Sequence, residues 1–188
     1  ELGHTVAMDF SYHTTPNREK LMVLHFIDEA SKYHTAKIIR EGTVNNYSDL
    51  GNCDASNLIE AIAEWARYMS HPSCFHVDEE GCFHSEQFKE YCGMKSIEVK
   101  MAAGEAHWQN GIVERHIGTF REMLNKLMLE DVFEGADNQT FVDNACEATN
   151  RNGSYNGTSP SQWLLGRSRH PLIDTTEASP MVTSGSAF

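Results

Sequence analysis

Apolar and polar positions lay out the elements of this chain before any motif is considered. Residues 6–10 form a short extended run, and residues 21–27 are almost continuously apolar, the pattern of a central strand. The polar turn His13-Thr14-Thr15-Pro16-Asn17 separates them, and Asp28-Glu29-Ala30-Ser31 turns the chain into residues 33–39. Together these predict a three-stranded antiparallel meander in which Asp28 is a turn acceptor rather than a catalytic acid. Residues 43–53 are polar and rich in Gly and Asn, a loop. Asp54 or Ser56 then caps a helix in which Leu58, Ile62, Trp65 and Met69 recur at three- and four-residue spacing, and His71-Pro72 ends it. Residues 73–78 make a fourth strand, giving a strand-helix-strand unit with a parallel pair and a right-handed crossover.

Ser85 is placed to cap a short helix over residues 86–91, stopped by Gly93, and residues 97–101 alternate as a half-exposed fifth strand. Residues 102–109, with Gly104 and Trp108, read as a loop, and Asn110 as the cap of a long helix reaching about residue 130. At about 100° per residue, Val113, Ile117, Phe120, Leu124 and Leu127 share the buried face of that helix, while Glu114, Gly118, Arg121 and Asn125 form a stripe along its edge. A further helix over 140–150 turns Phe141, Ala145 and Ala148 inward, and Asn152-Gly153 ends it. From Asp174 onward Thr, Ser, Pro and Gly dominate, so residues 1–170 are expected to form one core and 171–188 a flexible tail. The order of elements implies an α/β fold with a five-stranded mixed sheet, three antiparallel strands plus parallel ones, flanked by helices.

Composition narrows the class. With 188 residues, 40% of them hydrophobic, the chain can bury one substantial core. It has no run of about 18 apolar residues, so no membrane span is expected. A start at Glu1 rather than Met suggests an excised domain or a polyprotein fragment. Five cysteines, an odd number spread through regular structure, read as free thiols of a reducing compartment. Cys74-Phe75-His76 and Cys82-Phe83-His84 repeat a Cys-x-His pattern that could serve zinc, but with no Cys-x-x-Cys pair the expected role is packing. A net charge of −12 repels DNA at long range, because nucleic-acid affinity rests on neutralising phosphates.

The candidate chemistry lies in three carboxylates. Asp9 and Asp78 each follow apolar β-type residues, where a lone charge is costly unless it gains a partner or a metal. Glu114 follows Asp78 with 35 residues between, near the start of the long helix. Three acids from three elements can hold two divalent cations for phosphoryl chemistry. The competing reading is ordinary surface acids, since 27 of 188 residues are Asp or Glu and some pair will show any given spacing.

Met8-Asp9-Phe10, then Asp78 followed by Phe83, Ser85 and Phe88, then Gln109-Asn110-Gly111-Ile112-Val113-Glu114-Arg115, resembles the catalytic core of retroviral and LTR-retrotransposon integrases across roughly residues 5 to 170. The resemblance implies a ribonuclease H-like fold in which Asp9 bridges two Mg²⁺ or Mn²⁺ ions, Asp78 completes one site and Glu114 the other. It implies 3′-end processing and strand transfer of element DNA into target DNA. Gln109, Asn110, Arg115, Gly118 and Arg121 would be the DNA-facing residues, with a solvated helix rim as the other reading of Arg121. It also implies a homodimer or higher multimer, synthesis in the cytoplasm within a polyprotein, and action in the nucleus. Residues 157–167, beginning Gly157-Thr158-Ser159-Pro160, resemble the segment that follows the family's core, where Pro starts a short docking helix. One departure is Glu79-Glu80 directly after Asp78, where the family carries Asn or Gln and then Gly; here Gly81 comes one position late. A transposase or nuclease of the same superfamily, and a degenerate core that binds or assembles without catalysis, are the alternatives.

Overall fold

The computed structural model describes residues 3–101, 107–129, 135–153 and 157–166. Five strands form one sheet: β1 (Thr5–Thr14), β2 (Lys20–Asp28), β3 (His34–Gly42), β4 (Cys74–Val77) and β5 (Glu98–Met101), in the spatial order β3-β2-β1-β4-β5. The first three pair antiparallel as a meander, and β4 and β5 add in parallel beside β1. β1 runs four residues further than its apolar core predicts, because His13 and Thr14 still pair with Leu21 and Lys20 of the central strand. Helices α1 (Ala55–Met69), α2 (Glu86–Met94), α3 (His107–Leu127), α4 (Asn138–Asn152) and α5 (Pro160–Leu165) complete the chain. No helix among the described residues is long and apolar enough to cross a membrane.

Strand alternation sorts the side chains between two layers. Val6, Met8 and Phe10 of β1, with Met22, Leu24 and Phe26 of β2, face α1 and α2 in one apolar cluster. There Leu58, Ile62 and Trp65 of α1 supply the predicted stripe, and Trp65 stacks on Phe26 with ring centroids 5.3 Å apart. The Asp54 carboxylate accepts the Asn57 N–H at 2.8 Å and starts α1, which identifies the cap as Asp54 rather than Ser56; such a cap contributes about 1 kcal/mol. On the other face Leu21, Val23 and Ala36 meet Phe120 and Leu124 of α3 and Val142, Ala145 and Cys146 of α4.

Several boundaries differ from the sequence reading. α2 continues through Gly93 to Met94, and Lys95 and Ser96 end it, Ser96 with a positive φ of 57°. α3 begins at His107, so Asn110 is inside the helix and does not cap it. α4 starts two residues early on an Asp137 cap, and its buried face is Val142, Ala145, Cys146, Thr149 and Asn150, with Phe141 and Ala148 only half-buried. The polar Asn150 is drawn inward because its amide spans the backbone of β3, accepting from the His34 N–H at 2.8 Å and donating to the His34 carbonyl at 2.7 Å. Gln139, three turns earlier, does the same for Ile38 and Ala36. α5 opens as predicted, with Pro160 in its first turn and a reciprocal Ser159–Gln162 capping box. Residues 102–106 and the predicted tail 171–188 lie outside the described residues.

Candidate active site

The parallel pairing of β1 with β4 brings the two aspartates together. The last paired position is Met8 with Val77, so Asp9 and Asp78 are the next residues on each strand, side by side and on the same face. That face is the one α3 covers. Asp9 is half-buried, whereas Asp78 and Glu114 are exposed. Burial pushes the Asp9 carboxyl up to about 6; the Phe10 N–H partly offsets this, and the negative charges of Asp78, Glu80 and Glu114 raise it further. Three separate elements therefore deliver carboxylates into one electrostatic field around Asp9.

The side chains do not close into a chelate: among the described residues no group of three or more His, Cys, Asp or Glu is near enough to hold a metal ion. Like charges repel, and two of the carboxylates satisfy themselves locally. Asp9 Oδ1 accepts the Phe10 N–H at 2.7 Å, and Asp78 Oδ1 accepts the Glu79 N–H at 2.6 Å. The donors are hard carboxylate oxygens, the set that suits Mg²⁺ or Mn²⁺, and mutual repulsion raising an acid is the electrostatic deficit a cation relieves. In donor chemistry the residues fit such an ion.

Along the edge of α3, Glu114, Arg115, Arg121 and Asn125 are exposed and Gly118 is half-buried, as the helical wheel requires. A Cβ built on Gly118 would meet no atom within 4 Å, so nothing within the described residues requires glycine there. The backbone of Gln109 and Asn110 belongs to α3, while their side chains lie outside the described residues. Asp28, paired with Val6 near the start of β1, accepts from the Gly3 N–H, the Ser31 N–H and the Ser31 hydroxyl, the turn acceptor expected of it. Of the two Cys-x-His repeats, Cys74 is buried and His76 pairs with Glu29, while Cys82 turns toward Cys53.

Two features of the site were not read from the sequence. Glu80, part of the departure after Asp78, acts on Asp9 directly, and Tyr12 lies in the field of Glu80 and Asp9. Beside Asp9 on the same face of β1 stand Ser11 and His13, the start of a buried polar chain. Ser11 Oγ bonds both His13 Nε2 and His25 Nε2, and His25 Nδ1 lies 2.7 Å from His34 Nε2. Phe120 sits edge-on over all three imidazoles. Burial holds every ring neutral: His13 is lowered to about 4 and His34 to about 3, and His25 lies well below the ordinary range, with Arg121 adding repulsion at His13 and His25. The signal was present in the alternation Asp9-Ser11-His13 and in a histidine inside the run 21–27.

No family model and no curated protein matches the sequence. Solved structures do match the fold. The catalytic core domain of HTLV-2 integrase, solved with magnesium in a dimeric form, superposes with a TM-score of 0.66 at 17% identity, covering 86% of this chain and 95% of that one. The catalytic core domain of BIV integrase gives 0.65 at 15% identity, over 94% of this chain and 99% of that one. A chain of the simian T-cell lymphotropic virus intasome, solved in complex with the PP2A regulatory subunit B56 gamma, gives 0.64 at 18% identity, over 90% of this chain and 56% of that one. The chain thus has the ribonuclease H-like fold of retroviral integrase catalytic cores.

Proposed function

We propose that this chain is an Asp-Asp-Glu polynucleotidyl transferase core that cleaves the 3′ ends of element DNA and joins them to target DNA, with Asp9, Asp78 and Glu114 as its acids. The observation that carries the proposal is the adjacency of Asp9 and Asp78 beyond the Met8–Val77 pair, with the charge of Glu114 reaching Asp9 from α3. At such a site the chemistry supplied by two bound Mg²⁺ or Mn²⁺ ions is activation of water or a 3′-hydroxyl and stabilisation of the leaving oxygen. The three carboxylates hold and orient, and their own contribution is position and field rather than covalent bonding. Ionised Asp9 is the dominant form above about pH 6, so the acid set reaches full charge only on the neutral side of that value. The edge stripe presents DNA with an open backbone approach at Gly118 and cations at Arg115 and Arg121, with Gln109 and Asn110 one turn earlier.

The HTLV-2 core has been solved in complex with magnesium in dimeric and trimeric forms, and the simian virus protein within an intasome, which supports divalent metal use and assembly here as well. We assign this chain a homodimer or higher multimer, DNA as partner and the nucleus as its place of action. A strand-transfer assay on matched DNA ends with Mn²⁺, comparing the chain with Asp78→Asn, tests the proposal. Activity in the first and a loss of at least 100-fold in the second is the expected result, on the order of several kcal/mol of lost metal-assisted stabilisation. Cleavage without joining would identify a nuclease of the same superfamily. The net charge of −12 favours a second reading, a core that assembles with partners without catalysis, and equal background in both proteins would select it.

A further inference from the structure

A cleft of about 460 Å³ opens between the start of α1 and the turn after Asp78, and its wall includes Phe10, Tyr12, Met22, Cys53, Glu80 and Cys82. The two cysteines come from different segments. Cys53 precedes Asp54, the cap of α1, and Cys82 belongs to the single turn Gly81–His84 that follows Asp78. Both pack partly buried against the same apolar cluster and face the same cleft, where each thiol acts on the other; the Cys53 S–H donates to the Asp54 carbonyl at 3.4 Å. The geometry points to Cys53 and Cys82 as a reversible oxidation site, a dithiol that a peroxide closes to a disulfide, fixing the turn after Asp78 to the start of α1.

The other cysteines set the contrast. Burial raises the thiols of Cys74, Cys92 and Cys146, Cys92 to about 11, so their nucleophilic form is suppressed. At Cys82 the neighbouring Cys53 thiol pulls the group down against the effect of burial, while Cys53 is raised by Cys82 and then by burial. Either thiol can attack first with the other, in the same cleft, resolving the product; with Cys82 first the steps are these. The Cys82 thiolate attacks one oxygen of hydrogen peroxide, the O–O bond breaks and hydroxide leaves, giving a sulfenic acid. The Cys53 sulfur attacks the sulfenic sulfur, the S–O bond breaks, and the departing hydroxide takes the thiol proton as water. Two thiols lose two protons and two electrons, and the peroxide becomes two waters. Reduction by a thiol reverses the link.

The test is covalent. The whole chain is treated with hydrogen peroxide, alkylated under denaturing, non-reducing conditions and measured by intact mass and peptide mapping. The expected product carries three alkyl groups instead of five and is two hydrogens lighter before alkylation, with a peptide joining Cys53 to Cys82. Cys53→Ser and Cys82→Ser should each abolish that peptide, and dithiothreitol should restore five alkylation sites in the parent. Five sites after oxidation, a link through Cys74, Cys92 or Cys146, or Cys82 recovered as sulfinic acid with Cys53 still free would each overturn the assignment. Because the readout is mass, failure of the link and failure of DNA strand transfer are separate results.

Discussion

Under α1 and α2 the sheet presents Val6, Met8, Phe10, Met22, Leu24 and Phe26, and the layer is closed by aliphatic and aromatic packing. Under α3 and α4 the same strands present Asp9, Ser11, His13, His25 and His34, and the apolar contribution narrows to a smaller cluster around Phe120 and Leu124. The first face draws its stability from area removed from water, a term indifferent to pH. The second relies on a proton arrangement. With all rings neutral, Ser11 can donate one bond and accept one, so the bonds must run in one direction along the chain. Either order leaves His34 Nδ1, which has no partner among the described residues, at its end. A face built this way tolerates polar residues near a reactive edge at the cost of sensitivity to conditions that leave the opposite face untouched.

Acidification should separate the two faces most strongly. His13, His25 and His34 all titrate in the fold below their ordinary value, so below about pH 6.5 the unfolded chain binds more protons and stability falls as pH falls toward 4. At about 1.4 kcal/mol per histidine per pH unit, lowering the pH from 6.5 to 5 costs up to roughly 6 kcal/mol. Urea midpoints at the two values measure it; a flat profile would show that the imidazoles are already charged or solvated. Phe120→Ala, which removes a fully buried ring from above three imidazoles, is expected to cost about 3 to 5 kcal/mol and to flatten that pH dependence by admitting water, which relieves the burial that holds the rings neutral. A cost below 1 kcal/mol in chemical denaturation would mean that α3 does not seal the layer.

Asp9→Asn works in the opposite direction. The Asp9 carboxyl is raised in the fold, so its charged form is destabilising above about pH 6 and the penalty disappears below the unfolded value near 4. Removing the charge should stabilise the protein by about 1 to 3 kcal/mol at pH 7.5 while abolishing strand transfer. A melting temperature that drops at pH 7.5 would contradict the burial and repulsion described above. Arg121→Glu is the smallest in stability, within about 0.5 kcal/mol for an exposed rim position. It should weaken DNA binding and flatten the salt dependence by about one unit of slope, measured in a protein carrying its flanking domains. Unchanged affinity and slope would make the stripe a solvated helix edge.

What the sequence disclosed follows the range of the forces involved. The strands, the meander and the α1 stripe are local patterns readable from residues alone, whereas the Asp9–Asp78 adjacency followed only from the fold that the family resemblance implies. The start of α3 and the course of α2 through Gly93 were not readable, because tertiary packing overrides the local signals of Asn110 and Gly93. Neither the Ser11–His25–His34 chain nor the Cys53–Cys82 pair has a sequence spacing. Each joins segments that meet only after the sheet and its crossover have formed.

The amides of Gln139 and Asn150 along β3 bear on how the molecule is made. A strand with an open side is a template on which any other extended chain can align, and β3 ends the sheet on that side. Each amide offers the donor and acceptor of a peptide unit, so α4 occupies the rail as a row of borrowed peptides that cannot be extended by a further strand. Those residues are synthesised about a hundred positions after the strand they protect. During synthesis the meander is therefore complete while its outer edge is bare, and the interval before α4 emerges is when one nascent chain is most exposed to pairing with another.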